Sequence, residues 1–86
     1  MLSNPKVIRA MDGIIHELAK AKAKYPEWPE DLIHQVSIMN EEAGESIRSA
    51  LNHVYHGEPI ECLIEELRQT GAMCIRCLEM LDDKAD

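Results

Sequence analysis

The sequence predicts an all-α protein, a three-helix antiparallel bundle that is completed by oligomerisation. Apolar residues recur at steps of three and four along three long segments, which is the period of an amphipathic helix and which no strand could match. Prolines interrupt the pattern only between these segments and near the start of the chain. With no Phe, one Trp and two Tyr, the core must be built from aliphatic side chains, which interdigitate best between long helices.

The first helix is predicted to begin at Asn4 and Pro5, a capping residue followed by proline at the first helical position. Lysines near its end, up to Lys24, suit the negative end of the helix dipole. Its apolar stripe consists of Val7, Ile8, Met11, Ile14, Ile15 and Leu18.

Residues 25–29 contain two prolines and are predicted to form a loop. The second helix is predicted to begin near the second proline, Pro29, with Glu30 and Asp31 in its first turn and with Gly57 and Pro59 ending it. Its apolar stripe, expected to face the core, consists of Leu32, Val36, Met39, Ala43, Ile47, Ala50 and Val54.

The third helix is predicted to run from about residue 58 to residue 81, and residues 82–86 are predicted to be a frayed tail. Gly44 and Gly71 lie inside helices, where close approach of a neighbouring helix usually compensates for the missing side chain. The main apolar stripe consists of Ile60, Leu63, Leu67, Cys74, Leu78 and Leu81. Together the three helices form a single domain, residues 1–86.

The net charge of −7 argues against binding to nucleic acid or to an anionic membrane, since both require a basic surface. No apolar stretch is long enough to span a bilayer, and the start of the chain does not resemble a signal peptide. The three cysteines are odd in number and predict free thiols in a reducing compartment, hence a cytoplasmic protein. A chain this short is marginal alone, so a homodimer or homotetramer is expected.

Acidic side chains of the second helix are placed beside its apolar stripe. At about 100° per residue, Glu42 lies at the edge of the stripe, on the same side as Gln35 and His53. Glu45 follows three residues later on that side, whereas Glu41 points toward solvent. Glu42 and Glu45 are therefore predicted to face a helix–helix interface.

On the third helix, Glu66 falls within a second apolar band, and Gln69 follows three residues later. A carboxylate placed there is partly desolvated, which is costly unless a positive charge meets it. The side predicted to be exposed holds Glu65, Arg68, Arg76 and Glu79. A divalent cation held jointly with Glu42 and Glu45 would supply the charge, although paired glutamates on a solvated helix face are a common alternative.

Residues 41–45 (Glu-Glu-Ala-Gly-Glu) and 65–69 (Glu-Glu-Leu-Arg-Gln) resemble the two motifs of the MazG-type all-α nucleoside triphosphate pyrophosphohydrolases. The signature of that superfamily is Glu-Glu-x-x-Glu on one helix and Glu-x-x-Asp on the next. The resemblance covers roughly residues 31–81 and includes the Trp-Pro loop before the second helix.

The resemblance implies hydrolysis of a nucleoside triphosphate to a monophosphate and pyrophosphate, with Mg²⁺ as cofactor and Mn²⁺ as an alternative. By position, it assigns Glu42, Glu45, Glu66 and Gln69 to the metal, and Glu41 or Glu45 to the attacking water. Gln69 departs from the pattern, because an amide can coordinate a cation but carries no charge and cannot act as a base. An inactive helical interaction or regulatory module that kept this fold is therefore the alternative function.

Three further residues are candidates for contact with the nucleotide. Trp28 is the only tryptophan and could stack on a base, or it could cap the end of the bundle. Gln35 could read a base edge, and His53 could contact phosphate or base, or serve only in packing. Cys74 and Cys77 form a Cys-x-x-Cys pair, for which core packing is a better interpretation than zinc, because zinc needs two more ligands.

Overall fold

The computed structural model describes residues 3–84 and contains three helices and, in that range, no strand. They are α1 (Pro5–Lys24), α2 (Leu32–His56) and α3 (Ile60–Lys84). The predicted all-α class and the number and order of the helices are confirmed. None of the described helices is both long enough and apolar enough to cross a membrane.

The start of α1 is as predicted, and the start of α2 is not. Asn4 caps α1, since its Oδ1 accepts a hydrogen bond from the backbone N–H of Lys6 at 2.9 Å. Asp31 was predicted in the first turn of α2 but caps the helix instead, accepting from the backbone N–H of His34 at 2.9 Å. A carboxylate satisfies a free N–H better from the cap position than from inside the first turn. The predicted start at Pro29 was therefore wrong.

Between α2 and α3 the chain reverses at Gly57, which has φ 70° and ψ 20°. Glycine adopts this left-handed conformation without steric cost and commonly ends helices. The helix α3 continues to Lys84, past the predicted end at residue 81. Of the predicted tail, residues 85 and 86 lie outside the described part of the chain.

The central element is α3, which packs against both other helices, whereas α1 and α2 share no close backbone approach in residues 3–84. The prediction that all three helices pack against one another was therefore wrong for this pair. A Cβ added to Gly71 would lie 2.9 Å from Ile14 Cδ1, and Lys22 Nζ lies 2.9 Å from Glu79 Oε1. From the first pair to the second, the residue number increases along both helices, so α1 and α3 are parallel. The other predicted close approach is absent, because nothing lies within 4 Å of a Cβ built on Gly44.

The contacts of α2 with α3 run in the opposite direction. Ser46 Oγ lies 3.0 Å from Thr70 Oγ1, and Cys77 Sγ donates to the Gln35 carbonyl at 3.6 Å. Since the residue number falls along α2 as it rises along α3, these two helices are antiparallel. The buried residues of α2 are polar: Gln35, Ser46 and Ser49.

The prediction that the apolar stripe of α2 faces the core was wrong for about half of the stripe. Ile47 is 65% exposed and Val54 is 69% exposed. At 100° per residue, these two side chains lie about a quarter turn from the line through Gln35, Ser46 and His53 that faces α3. The helix packs through its polar edge; the stripe residues nearest that edge are half-buried, and the others are at the surface. The half-buried ones are Met39, Ala43 and Ala50.

Stripes of exposed apolar residues on all three helices lie on one side of the layer that the helices form. On each helix, the side that contacts the neighbouring helix gives a reference direction, and each following residue lies 100° further round the axis. With α1 parallel and α2 antiparallel to α3, the exposed apolar residues of all three helices then fall on the same side. We call this surface the apolar face; it comprises Val7, Ile8, Met11, Ile15, Val36, Ile47, Leu51, Val54, Ile60, Ile64, Leu67, Leu78 and Leu81. By contrast, the buried apolar residues in the described range are only Ala72 and Cys77.

Candidate metal centre

Three carboxylates come together where α2 meets α3. Glu42 and Glu45, three residues apart on α2, meet Glu66 of α3, and one oxygen from each lies within 4.8 Å of the others. A search of the described residues for acidic, histidine or cysteine side chains close enough to share a metal ion finds this one group. The sequence placed these three residues at a common interface, and the structure brings them together there.

A pair of hydroxyl groups ties the two helices together beside the carboxylates. Thr70 Oγ1 lies 2.9 Å from the Glu66 carbonyl oxygen, and Ser46 Oγ lies 3.2 Å from the Glu42 carbonyl oxygen. The two hydroxyls lie 3.0 Å from each other, and we call this pair the hydroxyl bridge. Since each hydroxyl has one proton, one of the two donates across the interface while the other donates to its carbonyl. Because each hydroxyl contacts the backbone of a carboxylate-bearing residue, the bridge sets the separation of Glu42 and Glu66.

The environment of the cluster disfavours negative charge on two of its members. Burial, followed by the nearby charge of Glu45 and a hydrogen bond with it, raises the pKa of Glu66. Burial also raises the pKa of Glu42, with smaller contributions from the charges of Glu45 and Glu41. Both effects reflect the same feature, which is negative charge concentrated at a half-buried interface.

Two oxygen atoms of the cluster have no hydrogen-bond partner, although they are buried. They are Oε2 of Glu42 and Oε2 of Glu66. Buried polar atoms are nearly always satisfied, so these two oxygens are available to accept a hydrogen bond or to coordinate a cation. Hard cations such as Mg²⁺ take oxygen donors and commonly one or two carboxylates, so the donor set and its unpaired atoms fit that ion.

A cavity of about 690 Å³ adjoins the cluster, and it is of the size that takes a small organic ligand. Glu42 belongs to both the cluster and the cavity wall, and Gln69, half-buried on α3, lines the same wall. The remaining wall residues are Glu17, Lys20, Ala21, Lys24, Tyr25, Glu27, Trp28, Pro29, Ile38, Glu65, Ala72, Met73 and Arg76.

Arg76 was predicted on the exposed side of α3, and that prediction was wrong. Its side chain lies over the Trp28 ring, with 4.4 Å between the guanidinium carbon and the ring centre, and the residue is only 5% exposed. The burial has a sequence signal that was not used: Met73 and Met80, three residues before and four after, both belong to the second apolar band.

The structure places the other predicted site residues at varying distances from the cavity. Trp28 is half-buried and lines it, while Glu41 is exposed and lies outside the carboxylate cluster. Gln35 is fully buried, and its Nε2 donates to the Pro29 carbonyl at 2.7 Å, which anchors the loop before α2. His53 Nδ1 lies 2.6 Å from the Glu58 carbonyl at the other end of α2. Neither Gln35 nor His53 lines the cavity.

The thiols take no part in the cluster. Cys62, Cys74 and Cys77 are free, and burial raises the pKa of Cys77. Among the described residues no cysteine belongs to a group of side chains that could share a metal ion. Packing at the α2–α3 interface accounts for Cys77.

Comparison of the chain with protein-family models, with curated proteins and with solved structures gives no match. The resemblance drawn from the two acidic motifs stays a prediction. The carboxylate cluster and the adjoining cavity are the features from which a function can be argued.

Proposed function

We propose that this protein is a Mg²⁺-dependent pyrophosphohydrolase that converts a nucleoside triphosphate to the monophosphate and pyrophosphate. The observation that carries the proposal is the cluster of Glu42, Glu45 and Glu66, two of whose buried oxygens lack partners, at the edge of a cavity large enough for a nucleotide. The two acidic motifs that predicted the cluster support the same activity.

In this proposal the three clustered glutamates hold the metal. When bound, Mg²⁺ neutralises charge on the polyphosphate and lowers the pKa of a bound water. Glu42 belongs to both the cluster and the cavity wall, so the phosphate chain would lie at the end of the cavity that Glu42 lines, with the cation between them. Gln69 lines the same wall and can contribute an amide oxygen, though no negative charge.

The reaction forms a bond between the water oxygen and the α-phosphorus and breaks the bond from that phosphorus to the α,β-bridging oxygen. The electron pair of the broken bond leaves with pyrophosphate, and the proton of the water passes to a carboxylate oxygen. Glu45 is the better candidate for this base, because it lies in the cluster. Glu41 is exposed and lies outside it. We assign stacking on the base to Trp28, because it is an aromatic residue that lines the cavity.

The test is release of pyrophosphate from a panel of ribo- and deoxynucleoside triphosphates, with and without Mg²⁺. We expect metal-dependent turnover that is lost in Glu42→Gln and retained in Glu61→Gln, a matched change at an exposed glutamate of α3. A folded wild-type protein that releases no pyrophosphate from any of the nucleotides would refute the proposal.

A helical interaction module without catalytic activity is the second candidate function. Gln69 favours it, because the family pattern has an aspartate there, and the exposed apolar face favours it as a binding surface. The panel above separates the two candidates, since an interaction module gives no turnover with or without Mg²⁺.

We propose further that two copies of the chain associate through the apolar face. The described part of one chain buries only two apolar residues, while thirteen large apolar side chains remain at least two-fifths exposed on one side of the layer. Sedimentation analysis should find a dimer or a larger oligomer for the wild type and a smaller species for Leu78→Asp. Glu61→Lys, at an exposed polar position of the same helix, should leave the mass unchanged. A monomeric wild type would refute this proposal.

A further inference from the structure

Arg76 is a buried cation in the wall of the cavity. The residue is 5% exposed, lines the cavity together with Glu42, and lies over the Trp28 ring at 4.4 Å. The guanidinium lies over the ring, and this cation–π contact is favourable. An aromatic ring supplies no oxygen acceptor, so the contact does not replace hydrogen bonds to the N–H groups.

No protein group supplies those acceptors in the described part of the chain. The ion pairs found there join Lys20 to Glu17 and Lys22 to Glu79, and Arg76 makes no hydrogen bond. The residue as a whole is buried, yet none of its guanidinium nitrogens is among the buried atoms that lack a partner. The N–H donors of Arg76 therefore keep access to the water of the cavity, where a ligand can meet them.

The other basic residues of the cavity wall differ from Arg76 in both burial and contacts. Lys20 is exposed and paired with Glu17 at 3.3 Å, and Lys24 is exposed and lies 5.3 Å from the centre of the Tyr25 ring. Arg76 combines burial, a ring that fixes its orientation, and unpaired donors that meet the cavity. A guanidinium held in this way matches the paired oxygens of a phosphate group.

We propose that Arg76 binds a phosphoryl group of the substrate's polyphosphate chain, with Trp28 holding the guanidinium in the orientation that binds. The carboxylate cluster and Arg76 then contact the same chain from two walls of one cavity. The identity of the ligand rests on the proposed function, whereas the need of Arg76 for oxygen acceptors rests on the geometry alone.

The experiment uses Trp28, the only tryptophan, as a fluorescent reporter of the cavity. Inorganic pyrophosphate is titrated into the full-length protein, in EDTA and separately in Mg²⁺, while tryptophan emission is recorded. We expect a saturable change, with tighter binding in Mg²⁺. Uridine, which has base carbonyls and no phosphate, should give no change that depends on Arg76.

Two variants and a matched control test the assignment. Arg76→Met should weaken pyrophosphate binding at least about tenfold, the range for hydrogen bonds to charged groups. Arg76→Lys, which keeps the charge but lacks the paired N–H donors of the planar guanidinium, should bind with intermediate affinity. Arg9→Met, at an exposed arginine of α1 outside the cavity, should bind as the wild type does.

Several results would overturn the proposal. These are no saturable change in either buffer, equal affinity in Arg76→Met and wild type, or an Arg76-dependent response to uridine. An Arg76→Met protein that melts well below the wild type yet binds pyrophosphate normally would mark the stack as a packing contact.

The outcome is separable from that of the proposed function, because pyrophosphate is not hydrolysed in the assay. Binding in EDTA should survive Glu66→Gln, a change that is expected to remove turnover. Hydrolysis without Arg76-dependent binding would refute this inference alone, and binding without hydrolysis would refute the proposed function alone.

Discussion

The two interfaces of α3 are filled with different chemistry. Against α1, the backbone at Gly71 comes so close to Ile14 that even a methyl group would not fit without movement. Against α2, the interface holds the Ser46–Thr70 hydroxyl bridge and the half-buried carboxylates of Glu42 and Glu66. The first interface is close-packed, and the second is polar and carries negative charge.

The difference separates an interface whose packing favours stability from one that carries the proposed site at a cost in stability. Close packing of Gly71 on Ile14 gains dispersion energy and places no charge in the interior. Burying Glu42 and Glu66 beside Glu45 has the opposite effect on stability, as the raised pKa of both groups shows. Groups held at such a cost commonly belong to binding or catalytic sites.

The largest effect is expected at Glu66, where one substitution should lower activity and raise stability. Glu66→Gln should lower kcat/KM for nucleotide hydrolysis by at least about a hundredfold, because a metal ligand is lost. The same change should raise the melting temperature of the metal-free protein, because a buried charge is removed. Steady-state kinetics and calorimetry measure the two effects. An activity loss accompanied by lower stability would show that Glu66 is also a structural residue.

At the α1–α3 interface the expected effect falls on stability alone. Gly71→Val should lower the free energy of unfolding by about 1–3 kcal/mol, because its Cβ would meet Ile14. Gly44→Ala, also within a helix but with open space around the new methyl, should raise it by up to about 1 kcal/mol. Denaturant unfolding measures both changes. If Gly71→Val were as stable as the wild type, the two helices would not be closely packed there.

The sequence predicted the local structure better than the packing between helices. Periodicity and capping residues are local signals, and they predicted three helices and the side of α2 that bears Glu42 and Glu45. Helix α2 has a polar edge and an apolar stripe about a quarter turn apart, and either could pack on α3. Contacts between the helices decide which of the two does so. Rotation about a single helix cannot decide it, so the exposure of Ile47 was missed. The burial of Arg76 on α3 did have a signal on its own helix, in Met73 and Met80.

A smaller effect is expected at the hydroxyl bridge. Thr70→Val keeps the shape of the side chain and removes the hydroxyl, which should cost about 1 kcal/mol of stability and weaken Mn²⁺ binding several-fold. Thr70→Ser, which restores the hydroxyl, should recover the metal affinity. Isothermal titration with Mn²⁺ measures this. Equal affinity in all three proteins would mean that the bridge does not position Glu42 and Glu66.

The smallest effect is a dependence of stability on pH. Because folding raises the pKa of Glu42 and Glu66, the folded state binds more protons than the unfolded state above their ordinary values. The metal-free protein should therefore lose stability as pH rises from about 5 toward neutrality. The charge of Glu45 faces both groups and strengthens the trend.

Thermal melts across this pH range provide the measurement. Saturating Mg²⁺ should flatten the profile, since a bound cation replaces the protons, and the Glu42→Gln/Glu66→Gln double variant should flatten it without metal. A metal-free wild type whose stability rises with pH over that range would contradict the assignment.

The central position of α3 has a consequence for hydrogen exchange. Because α1 contacts α3 and makes no close approach to α2, it can detach while the α2–α3 hairpin stays folded. Backbone amides of α1 should then exchange with solvent faster than those of α3, as in proteins that open by subglobal units. Glu17, Lys20 and Lys24 of α1 line the cavity, so a ligand that fills it joins the two units and slows exchange along α1.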